Sequence, residues 1–396
     1  MKTKFISMAA FAALFGLTIT SCSNNEDDVA QAQNAQVNAK KAITFNGVMD
    51  ASHASRPGVK SYNANVGDIQ ADGMSVWAFD ATRETAITEA ADFFMGTPTA
   101  GLEHTWNASS SFFKAAADYF WPEYKLNFVA LTPQTGGGIG TIGISQAAKT
   151  SELQKPEMTV AIDVPLTTGE HGSYDDGGQK DIMIASINDQ VPISDNTSAT
   201  LNFNHALSQI VFKGCVDATT TIHRAVVKSI KLVNVASDGT ITYKAADGSF
   251  TAGGWGSQTK TYSANIVNTD VTAKSGVGTN AITGVDDNSG SRDYQLMIMP
   301  QTSVTCQGIT TENLSQTTPP TAGTYLLVNA DIYANGNNSN KVLSSATNVY
   351  IPLESTTWAP GYKYTYVLKF GDNLLHPITF TANVAVWKDA EKNVEF

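Results

Sequence analysis

The feature that most constrains this chain is a series of short runs in which apolar and polar residues alternate, each ended by Gly, Asn, Asp or Pro. An alternation of period two is the pattern of a β-strand that buries one face. The runs predict strands at 42–49, 74–80, 125–131, 158–164, 181–186, 201–216, 226–235, 240–245, 249–252, 293–299, 325–334, 349–353, 362–370 and 377–387. Because the runs do not alternate regularly with helical segments, we expect an all-β fold of paired sheets rather than a parallel α/β fold.

The long run 201–216 changes face along its length. Leu201 and Phe203 share one parity, whereas Ile210 and Phe212 share the other. Because a single strand register cannot bury both sets, we expect a bulge or a kink near 206–209.

A few segments depart from the strand pattern. Short helices are predicted at 84–94 and near 111–118. The stretch 253–291 is polar and rich in Gly, so we expect it to be a loop. Residues 246–248 read Ala-Asp-Gly, which predicts a hairpin turn between two strands.

The length of the chain bears on the number of domains. With 396 residues, it exceeds what one compact core usually holds, so we expect two domains. Pro192, Asp195 and the polar residues that follow interrupt the apolar pattern. We therefore predict an N-terminal β-sandwich domain at 42–195 and a C-terminal one at 196–396.

The beginning of the chain has the pattern of an export signal. Two lysines precede an uncharged run, 5–20, as in a secretory signal peptide. The flank Ile-Thr-Ser-Cys at 19–22 resembles a lipobox, which predicts a signal peptide at 1–21 and acyl chains on Cys22. An ordinary signal peptide that has a Cys at its cut site is the alternative.

Residues 22–41 form a polar spacer that opens with an acidic run at 23–28. The run resembles the surface-export signal of Bacteroidetes lipoproteins, although a simple solvated tether has the same composition. We expect the mature protein to be a surface-exposed lipoprotein of the outer membrane, held by the lipid on Cys22.

The charge of the chain excludes one class of partner. The net charge is −11 and no cluster of Lys and Arg occurs, so we expect no nucleic-acid binding, which requires positive charge. Cys215 and Cys306 are the cysteines that follow Cys22. They either pair in an oxidising compartment or remain as buried thiols.

No residue pattern indicates catalysis, a cofactor or a metal site. Residues 138–143 have the letters of a dinucleotide fingerprint, but no helix follows them, so we interpret them as a loop. His205 is interpreted as a hydrogen-bonded structural residue rather than a base. The acidic turns at 175–178 and 286–288 are interpreted as solvated turns rather than calcium sites. A pair of carboxylates that meets only in the fold remains open.

The tryptophans leave two interpretations open. If they are buried, they belong to the core, whereas exposed rings at strand ends would line a glycan site. The five in question are Trp106, Trp121, Trp255, Trp358 and Trp387.

Several segments, taken in order, carry a family resemblance. They are the aromatic-Trp-Pro strand start at 119–133, Leu-Asn-Phe-Asn-His-Ala-Leu-Ser-Gln-Ile at 201–210, the apolar strand ending in Pro-Gln at 296–301, Trp-Ala-Pro-Gly at 358–361, and the closing strand at 378–387. Together with the lipobox, they resemble the fimbrillin-like lipoproteins of Bacteroidetes, which are subunits of type V pili.

The resemblance implies a fold and a mode of assembly. The fold would be two transthyretin-like β-sandwich domains in tandem. The protein would be a non-enzymatic subunit that assembles with other fimbrial subunits by strand exchange. An Arg- or Lys-directed protease removes the N-terminal strand, and a strand of a neighbouring subunit replaces it by β-augmentation.

The first predicted strand, 42–49, is the candidate exchanged strand, because the stretch 50–68 separates it from the next one. Its apolar residues Ile43, Phe45 and Val48 are the candidate donor-strand residues. The closing strand at 377–387 is the second segment through which we expect the subunits to assemble.

Arg56 and Lys60 are the candidate processing sites, because proteases cut exposed and unpaired segments. Pro57 follows Arg56, and trypsin-like enzymes cut poorly before proline. Cleavage therefore occurs after Lys60, or the subunit stays uncut and acts as an anchor or terminator.

An alternative function is a monomeric surface lipoprotein or pilus-tip adhesin that binds a glycan or a host protein. The tryptophan content and the binding loops that sandwiches present at their ends motivate it. A surface hydrolase is a third hypothesis, and no visible constellation of catalytic residues supports it.

Overall fold

A computed structural model describes residues 42–49, 69–70, 72–134, 138–149, 151, 154–166, 179–191, 198–218, 222–264, 266, 269–273, 275–282, 296–309, 318–334, 347–371, 382–386 and 390–394. Most regular structure in these residues is β-strand, with a 3-10 helix at Ala90–Asp92 and helical residues at 69, 70 and 72. The all-β class predicted from the sequence is confirmed. Within the described residues, no helix is long and apolar enough to span a membrane.

The strands are numbered in chain order. They are β1 (Phe45–Met49), β2 (Met74–Asp80), β3 (Phe93–Met95), β4 (Leu102–Asn107), β5 (Phe112–Lys114), β6 (Leu126–Thr132), β7 (Ile139–Ser145), β8 (Glu157–Asp163), β9 (Met183–Gln190), β10 (Ala199–His205), β11 (Ser208–Val216), β12 (Ile222–Val235), β13 (Asp238–Lys244), β14 (Ser249–Gly253), β15 (Lys260–Ala264), β16 (Thr269–Val271), β17 (Asn280–Ala281), β18 (Leu296–Ile298), β19 (Gln301–Thr302), β20 (Tyr325–Ala334), β21 (Thr347–Pro352), β22 (Thr357–Trp358), β23 (Tyr362–Phe370), β24 (Ala382–Val386) and β25 (Ala390–Val394).

The first sheet closes on itself. Its strands pair in the order β2, β4, β5, β1, β10, β9, β6, and β6 pairs again with β2. β3 pairs antiparallel with the second half of β2, and β4 pairs with the first half. Closing a sheet in this way leaves no free edge along the ring. β1 is therefore a member of the ring and joins β5 to β10.

The remaining strands form four further sheets. They are β17-β11-β23-β24-β25 with β18 beside β11, β15-β12-β20-β21 with β16 beside β12, β14-β13-β8-β7, and the two-stranded β19-β22. The ladder between β11 and β23 is parallel over eight residue pairs, and the neighbours of both strands in this sheet are antiparallel.

The buried residues of these sheets form two hydrophobic cores. The first consists mainly of residues of the ring, including Phe45 and Phe128, and also contains Ile69. The second is larger and extends through the other sheets to Trp358. β2 contributes to both, because its alternate residues point to opposite faces: Val76 belongs to the first core and Trp77 to the second.

The run 201–216 is interrupted where a bulge or a kink was expected, but the interruption is a change of sheet. β10 ends at His205 and β11 begins at Ser208, and the two strands belong to different sheets. The change of parity therefore marks a change of sheet, with Phe203 in the first core and Phe212 in the second.

The predicted helices at 84–94 and 111–118 are wrong. The first contains only the 3-10 turn Ala90–Asp92 before β3, and the second contains β5. Ile87 pairs with Gln146 and is fully buried, and Phe113 pairs with Phe45. Packing of these apolar side chains outweighs the weak preference of each segment for helix.

The predicted loop at 253–291 is also partly wrong, because it contains β15, β16 and β17. β15 and β16 both pair with β12. They bury only a few residues, such as Tyr262 and Val271, and their other side chains are polar, which hides the strand pattern.

The division at 195/196 remains a prediction about domains. β10 lies C-terminal to it and pairs with β1 and β9, which lie N-terminal to it. The strand Ala199–His205 thus belongs to the first sheet, and the chain enters another sheet with β11.

Candidate functional site

β1 lies in a slot between β10 and β5. Five residues, Phe45–Met49, pair in parallel with Ala199–Phe203 of β10. On the opposite side, the register with β5 consists of a single pair, Phe45 with Phe113. The strand is therefore held along one side over its whole length and along the other side mainly at its start.

The residues before β1 extend this attachment. Ala42 bridges to Phe120, and the amide of Ile43 donates to the carbonyl of Tyr119 at 2.7 Å. The carbonyl of Thr44 accepts from the amide of Ala199 at 2.9 Å. The segment 42–49 thus contacts both walls of the slot before it continues along β10 alone.

Thr44 adds a side-chain contact at the same place. Its hydroxyl donates to the hydroxyl of Ser198 at 3.0 Å. This bond lies at the start of the parallel ladder and fixes the register of β1 against β10.

Phe45 anchors the strand in the first core. Its side chain is fully buried, and its ring lies edge-on to His104 and Phe128, with centroid distances of 5.2 and 5.1 Å. Trp121 in turn packs edge-on against Phe128 at 5.6 Å. Burying a phenylalanine of this kind contributes about 1.5–3 kcal/mol, and Ile43 is buried as well.

His104 is the titratable group of this pocket. Its side chain is 1% exposed, and its Nδ1 lies 2.9 Å from the carbonyl oxygen of Leu102. Burial lowers the pKa of His104, and the bond to Leu102 opposes this shift only in part. A neutral imidazole therefore packs against Phe45 at neutral pH.

β1 covers both backbone groups and apolar side chains of its neighbours. Without 42–49, the backbone of Ala199–Phe203 would lose the partners it has in β1, and Phe113 and Phe128 would face an apolar groove. Unpaired backbone groups beside an apolar groove are the two elements that bind an extended peptide as an added strand.

The predicted site residues have different positions relative to this slot. Ile43 and Phe45 are buried in it, and Val48 is the register partner of Asn202. Cys22, Arg56 and Lys60 lie outside the described residues. The slot brings Phe45 together with His104 and Phe128, neither of which was predicted as a site residue.

Two of the sequence motifs, 201–210 and 358–361, meet away from the slot, at the crossover between β10 and β11. Gly361 donates its amide to the carbonyl of Leu207 at 2.8 Å, and the Ser208 hydroxyl donates to the carbonyl of Ala359 at 2.8 Å. Gly361 has φ +74°, and a Cβ there would lie 3.3 Å from the carbonyl oxygen of His205. The segments 205–208 and 358–361 thus form one structural junction.

His205 forms a buried pair with Asp181 at this junction, through its Nδ1 and the carboxylate. The amide of Ala206 donates to the carbonyl of Ile182 at 2.8 Å. These contacts agree with the interpretation of His205 as a structural residue.

The glycine run and the Pro-Gln element of the sequence both lie in or beside strands. The glycine run 138–143 lies mostly in β7, which pairs antiparallel with β8, so neither the dinucleotide motif nor the predicted loop is found there. Gln301, after Pro300, accepts from the amide of Ala236 and donates to its carbonyl, at 2.8 Å each.

The described cysteines and acidic residues show no metal-binding group. Cys215 and Cys306 are free thiols. In the described part of the chain, no three or more His, Cys, Asp or Glu side chains are close enough to hold a metal ion.

The tryptophans are divided between core and surface. Trp358 is fully buried and donates its Nε1 hydrogen to the Tyr366 hydroxyl at 3.0 Å. Trp106 and Trp121 are half-buried at the first core, and Trp255 is 38% exposed. Trp387 lies outside the described residues.

Comparison with known families gives one match that covers most of the chain. The model of the family described as fimbrillin-like matches residues 63–387. β1 lies before this range, and the rest of the slot lies within it. No protein of curated function matches the sequence.

Several solved structures are similar to this one. A fimbrial protein from Bacteroides vulgatus superposes with a TM-score of 0.52 at 17% identity, over 88% of this chain and 99% of that chain. A candidate cell adhesion protein from Bacteroides ovatus has a TM-score of 0.44 at 13% identity, over 88% and 98%. The first of these shows that the fold is shared.

Proposed function

This chain belongs to the fimbrillin-like family, and from that premise we propose that it is a non-enzymatic structural subunit of a cell-surface pilus, assembled by exchange of its first strand. In this proposal, the segment 42–49 occupies its own slot until proteolysis removes it, and a strand of another fimbrial subunit then fills the slot.

The observation that carries the proposal is the position of β1. It completes the ring of the first sheet, and it comes from a segment that the chain can lose without breaking any other strand. Five parallel pairs and one buried phenylalanine give an incoming strand both affinity and register, because backbone bonds hold it and alternate side chains fill pockets.

The sequence contains a second segment of matching pattern. Ile43-Thr44-Phe45 recurs as Ile378-Thr379-Phe380, followed at the same spacing by small or apolar residues, Gly47 and Met49 in one case and Ala382 and Val384 in the other. A second copy of this chain, or a related subunit, can therefore supply a strand that places Phe380 where Phe45 lies, once its residues 382–386 leave their pairing with β23. Residues 377–381 lie outside the described part of the chain.

The remaining steps of the proposal concern export and processing. Acylation of Cys22 delivers the precursor to the outer membrane, and cleavage after Arg56 or Lys60 separates the lipid and β1 from the subunit. After cleavage, neighbouring subunits rather than the lipid hold the protein in the fimbrium.

Treatment of the purified precursor with an Arg/Lys-specific protease tests the proposal. We expect cleavage within 50–68 and a ladder of oligomers on a denaturing gel run without boiling. A variant in which Arg56 and Lys60 are both changed to Gln serves as the control and should stay monomeric. Cleavage within 50–68 that produces no oligomer, with or without added relatives of the subunit, would contradict strand exchange.

A further inference from the structure

Four aromatic side chains form a partly exposed surface next to the β1 slot. The ring of Phe94 in β3 lies 6.3 Å from that of Tyr119 and 6.4 Å from that of Tyr124, centroid to centroid. Phe94 and Tyr119 are half-buried, and Tyr124 is 38% exposed. Phe120, the next residue after Tyr119, is 41% exposed. Exposed aromatic residues that lie together are typical of surfaces at which proteins bind partners, and we call these four residues the aromatic surface.

The aromatic surface adjoins the place where the chain enters the slot. The amide of Ile43 donates to the carbonyl of Tyr119 at 2.7 Å, and Ala42 bridges to Phe120. All four aromatic residues belong to the stretch 72–134, which the structure describes without a gap. A strand that occupies the slot in the direction of β1 therefore enters beside these rings.

Strand exchange would hold the rest of a donating subunit near the same point. In the exchange proposed above, residues 378–380 of one copy lie where residues 43–45 lie, so Ile378 takes the position of Ile43. The chain from Phe370, the last residue of β23, to Ile378 spans at most about 29 Å even when it is fully extended. The end of β23 in the donating copy is thus tethered within that distance of the slot entrance in the accepting copy.

The molecule presents an exposed apolar side chain near this end of β23. Val277 is 88% exposed, the largest exposed fraction among the large hydrophobic residues in the described part of the chain. It lies between Gly276, which has φ +82°, and Gly278, and a Cβ added at either glycine would meet no atom within 4 Å. Residues 275–278, the Val277 loop, therefore project from the surface.

Backbone hydrogen bonds hold the Val277 loop at the end of the ladder between β11 and β23. The amide of Ser275 donates to the carbonyl of Val216 at 2.9 Å, and the amide of Asp217 donates to the carbonyl of Phe370 at 2.8 Å. Val216 is also the register partner of Phe370. The Val277 loop thus lies beside the residue from which the chain continues toward Ile378.

We propose that the Val277 loop of a donating copy docks on the aromatic surface of the accepting copy. The docking rests on the proposed function, because the exchanged strand is what tethers these two apolar surfaces to each other. The occupant of the aromatic surface is therefore a second copy of this chain. Burial of Val277 against the aromatic rings removes apolar area of both copies from water.

The geometry of this contact suits a filament. The Val277 loop and the aromatic surface are different parts of one molecule, so the contact is head-to-tail. A head-to-tail contact that does not close into a ring repeats along an open fibre, whereas a contact between identical surfaces stops at a dimer. Docking of this kind also limits the directions in which a subunit leaves its neighbour, which a flexible tether alone does not.

The test compares a free strand with a whole subunit. The acceptor is the chain after protease removal of 42–49, immobilised on an interferometry sensor. It carries Phe380→Ala, so that it donates its own strand poorly. The two probes in solution are the peptide 377–387 and the uncut full-length chain.

The first variant changes the donating copy. Full-length chain that carries Val277→Ser should bind the acceptor at least about tenfold more weakly, because a single apolar side chain supplies the donor side of the contact. Val304→Ser changes another exposed valine, 48% exposed, and is the matched control. It should leave the affinity unchanged, and so should either variant leave the urea unfolding of the chain.

The second variant changes the accepting copy. Phe120→Ser combined with Tyr124→Ser should weaken the full-length chain at least about tenfold and leave binding of the peptide unchanged, which shows that the slot is intact. Trp255→Ser, at an aromatic residue that is also 38% exposed, is the control. When both copies are changed, the loss should be well below the product of the two separate losses, since both remove one contact.

Failure of the docking and failure of strand exchange give different results. If the peptide binds but changes at Val277 and at the aromatic surface leave the full-length chain unaffected, the docking is wrong and strand exchange stands. Losses that multiply would place the two surfaces in separate contacts and also overturn the docking. An acceptor that binds neither the peptide nor the full-length chain would overturn strand exchange, and the docking with it.

Discussion

Among the described strands, two pairs that are far apart in sequence run parallel, and they are held very differently. β11 and β23 pair over eight residues, and antiparallel strands flank both of them in the sheet. β1 and β10 pair over five residues, and β1 meets β5 at one register pair. The β11–β23 ladder is thus flanked on both sides by paired strands, whereas β1 is paired over its length only with β10.

The side chains follow the same contrast. In β11, Phe212 is fully buried and stacks on Tyr366 of β23, with centroids 6.0 Å apart. In the slot, Phe45 makes comparable ring contacts, but the strand that bears it is a separate N-terminal segment. A buried aromatic anchor therefore supports permanent structure in one ladder and, in our proposal, exchange in the other.

A disulfide bond across each parallel ladder should give the largest difference between the two ladders. Asn46→Cys with Thr200→Cys joins register partners of β1 and β10, in a chain whose native cysteines are replaced by Ala. Register partners in neighbouring strands lie within the Cα separation that a disulfide spans. We expect the oxidised protein to be cut by the protease but to form no ladder on a gel, and reduction to restore the ladder.

The control for this lock is Lys213→Cys with Val367→Cys, which joins register partners of β11 and β23. Assembly should be unaffected by oxidation of this pair. If the β1 lock leaves assembly intact, β1 does not leave its slot and the contrast between the ladders has no functional meaning.

Replacing the buried phenylalanine of each ladder, Phe212 or Phe45, by alanine should give the next largest difference in stability. Phe212→Ala should lower the free energy of unfolding of the whole protein by about 3–5 kcal/mol, because it leaves a cavity in the larger core. Phe45→Ala should lower it less, because the loss is limited to the free energy that holds β1 in place. Urea unfolding measures the first effect, and hydrogen exchange of the Ala199–Phe203 amides measures the second.

The two variants differ in a second way. In Phe45→Ala, exchange at Ala199–Phe203 should become faster while the amides of β11 keep their protection. A uniform acceleration in both ladders would mean that β1 opens only when the whole protein unfolds.

Acid should weaken the slot through His104. Burial lowers the pKa of His104 in the folded state below its ordinary value of 6.5, so the unfolded chain binds the proton more readily. The stability is therefore complete above about pH 6.5 and falls as the pH decreases from there, by no more than about 1.4 kcal/mol per pH unit for one group. Urea unfolding at pH 7.5 and 5.5 measures this loss.

His104→Phe removes the titrating group and keeps a ring against Phe45. Its loss of stability between the two pH values should be smaller than that of the unchanged protein. An equal loss in both would assign the acid sensitivity to other groups.

The smallest expected effect concerns a single hydroxyl. Thr44→Val removes the 3.0 Å bond to Ser198 and should weaken the hold on β1 by about 0.5–1.5 kcal/mol. Thr302→Val removes a hydroxyl contact of the same length, to Thr357, between β19 and β22. Protease-triggered exchange should speed up in the first variant and stay the same in the second.

Much of the fold followed from the alternation of apolar and polar residues. The strands 74–80 and 325–334 were predicted with the bounds that the structure has, because their apolar residues face a core in regular order. The parity change after Phe203 correctly indicated an interruption. Strands such as β4 and β15 were missed, because they bury few side chains and their polar residues resemble those of loops.

The candidate site could be predicted only in part. The isolation of 42–49 indicated its first strand, and Phe45 was predicted as one of three apolar residues of that strand. His104 and Phe128 could not be assigned, since they come from strands separated in sequence and only the fold brings their rings to Phe45. The motifs at 201–210 and 358–361 meet at the junction of Leu207 and Gly361, whereas the aromatic motif at 119–133 borders the β1 slot.

The most direct test of the account measures strand binding itself. A fluorescent peptide of residues 377–387 is titrated, with polarisation as the readout, into the chain before and after protease removal of 42–49. We predict saturable binding only after removal, and much weaker binding of the peptide that carries Phe380→Ala. Equal binding to the intact and the cleaved chain, or none to either, would contradict the claim that β1 occupies an exchangeable slot.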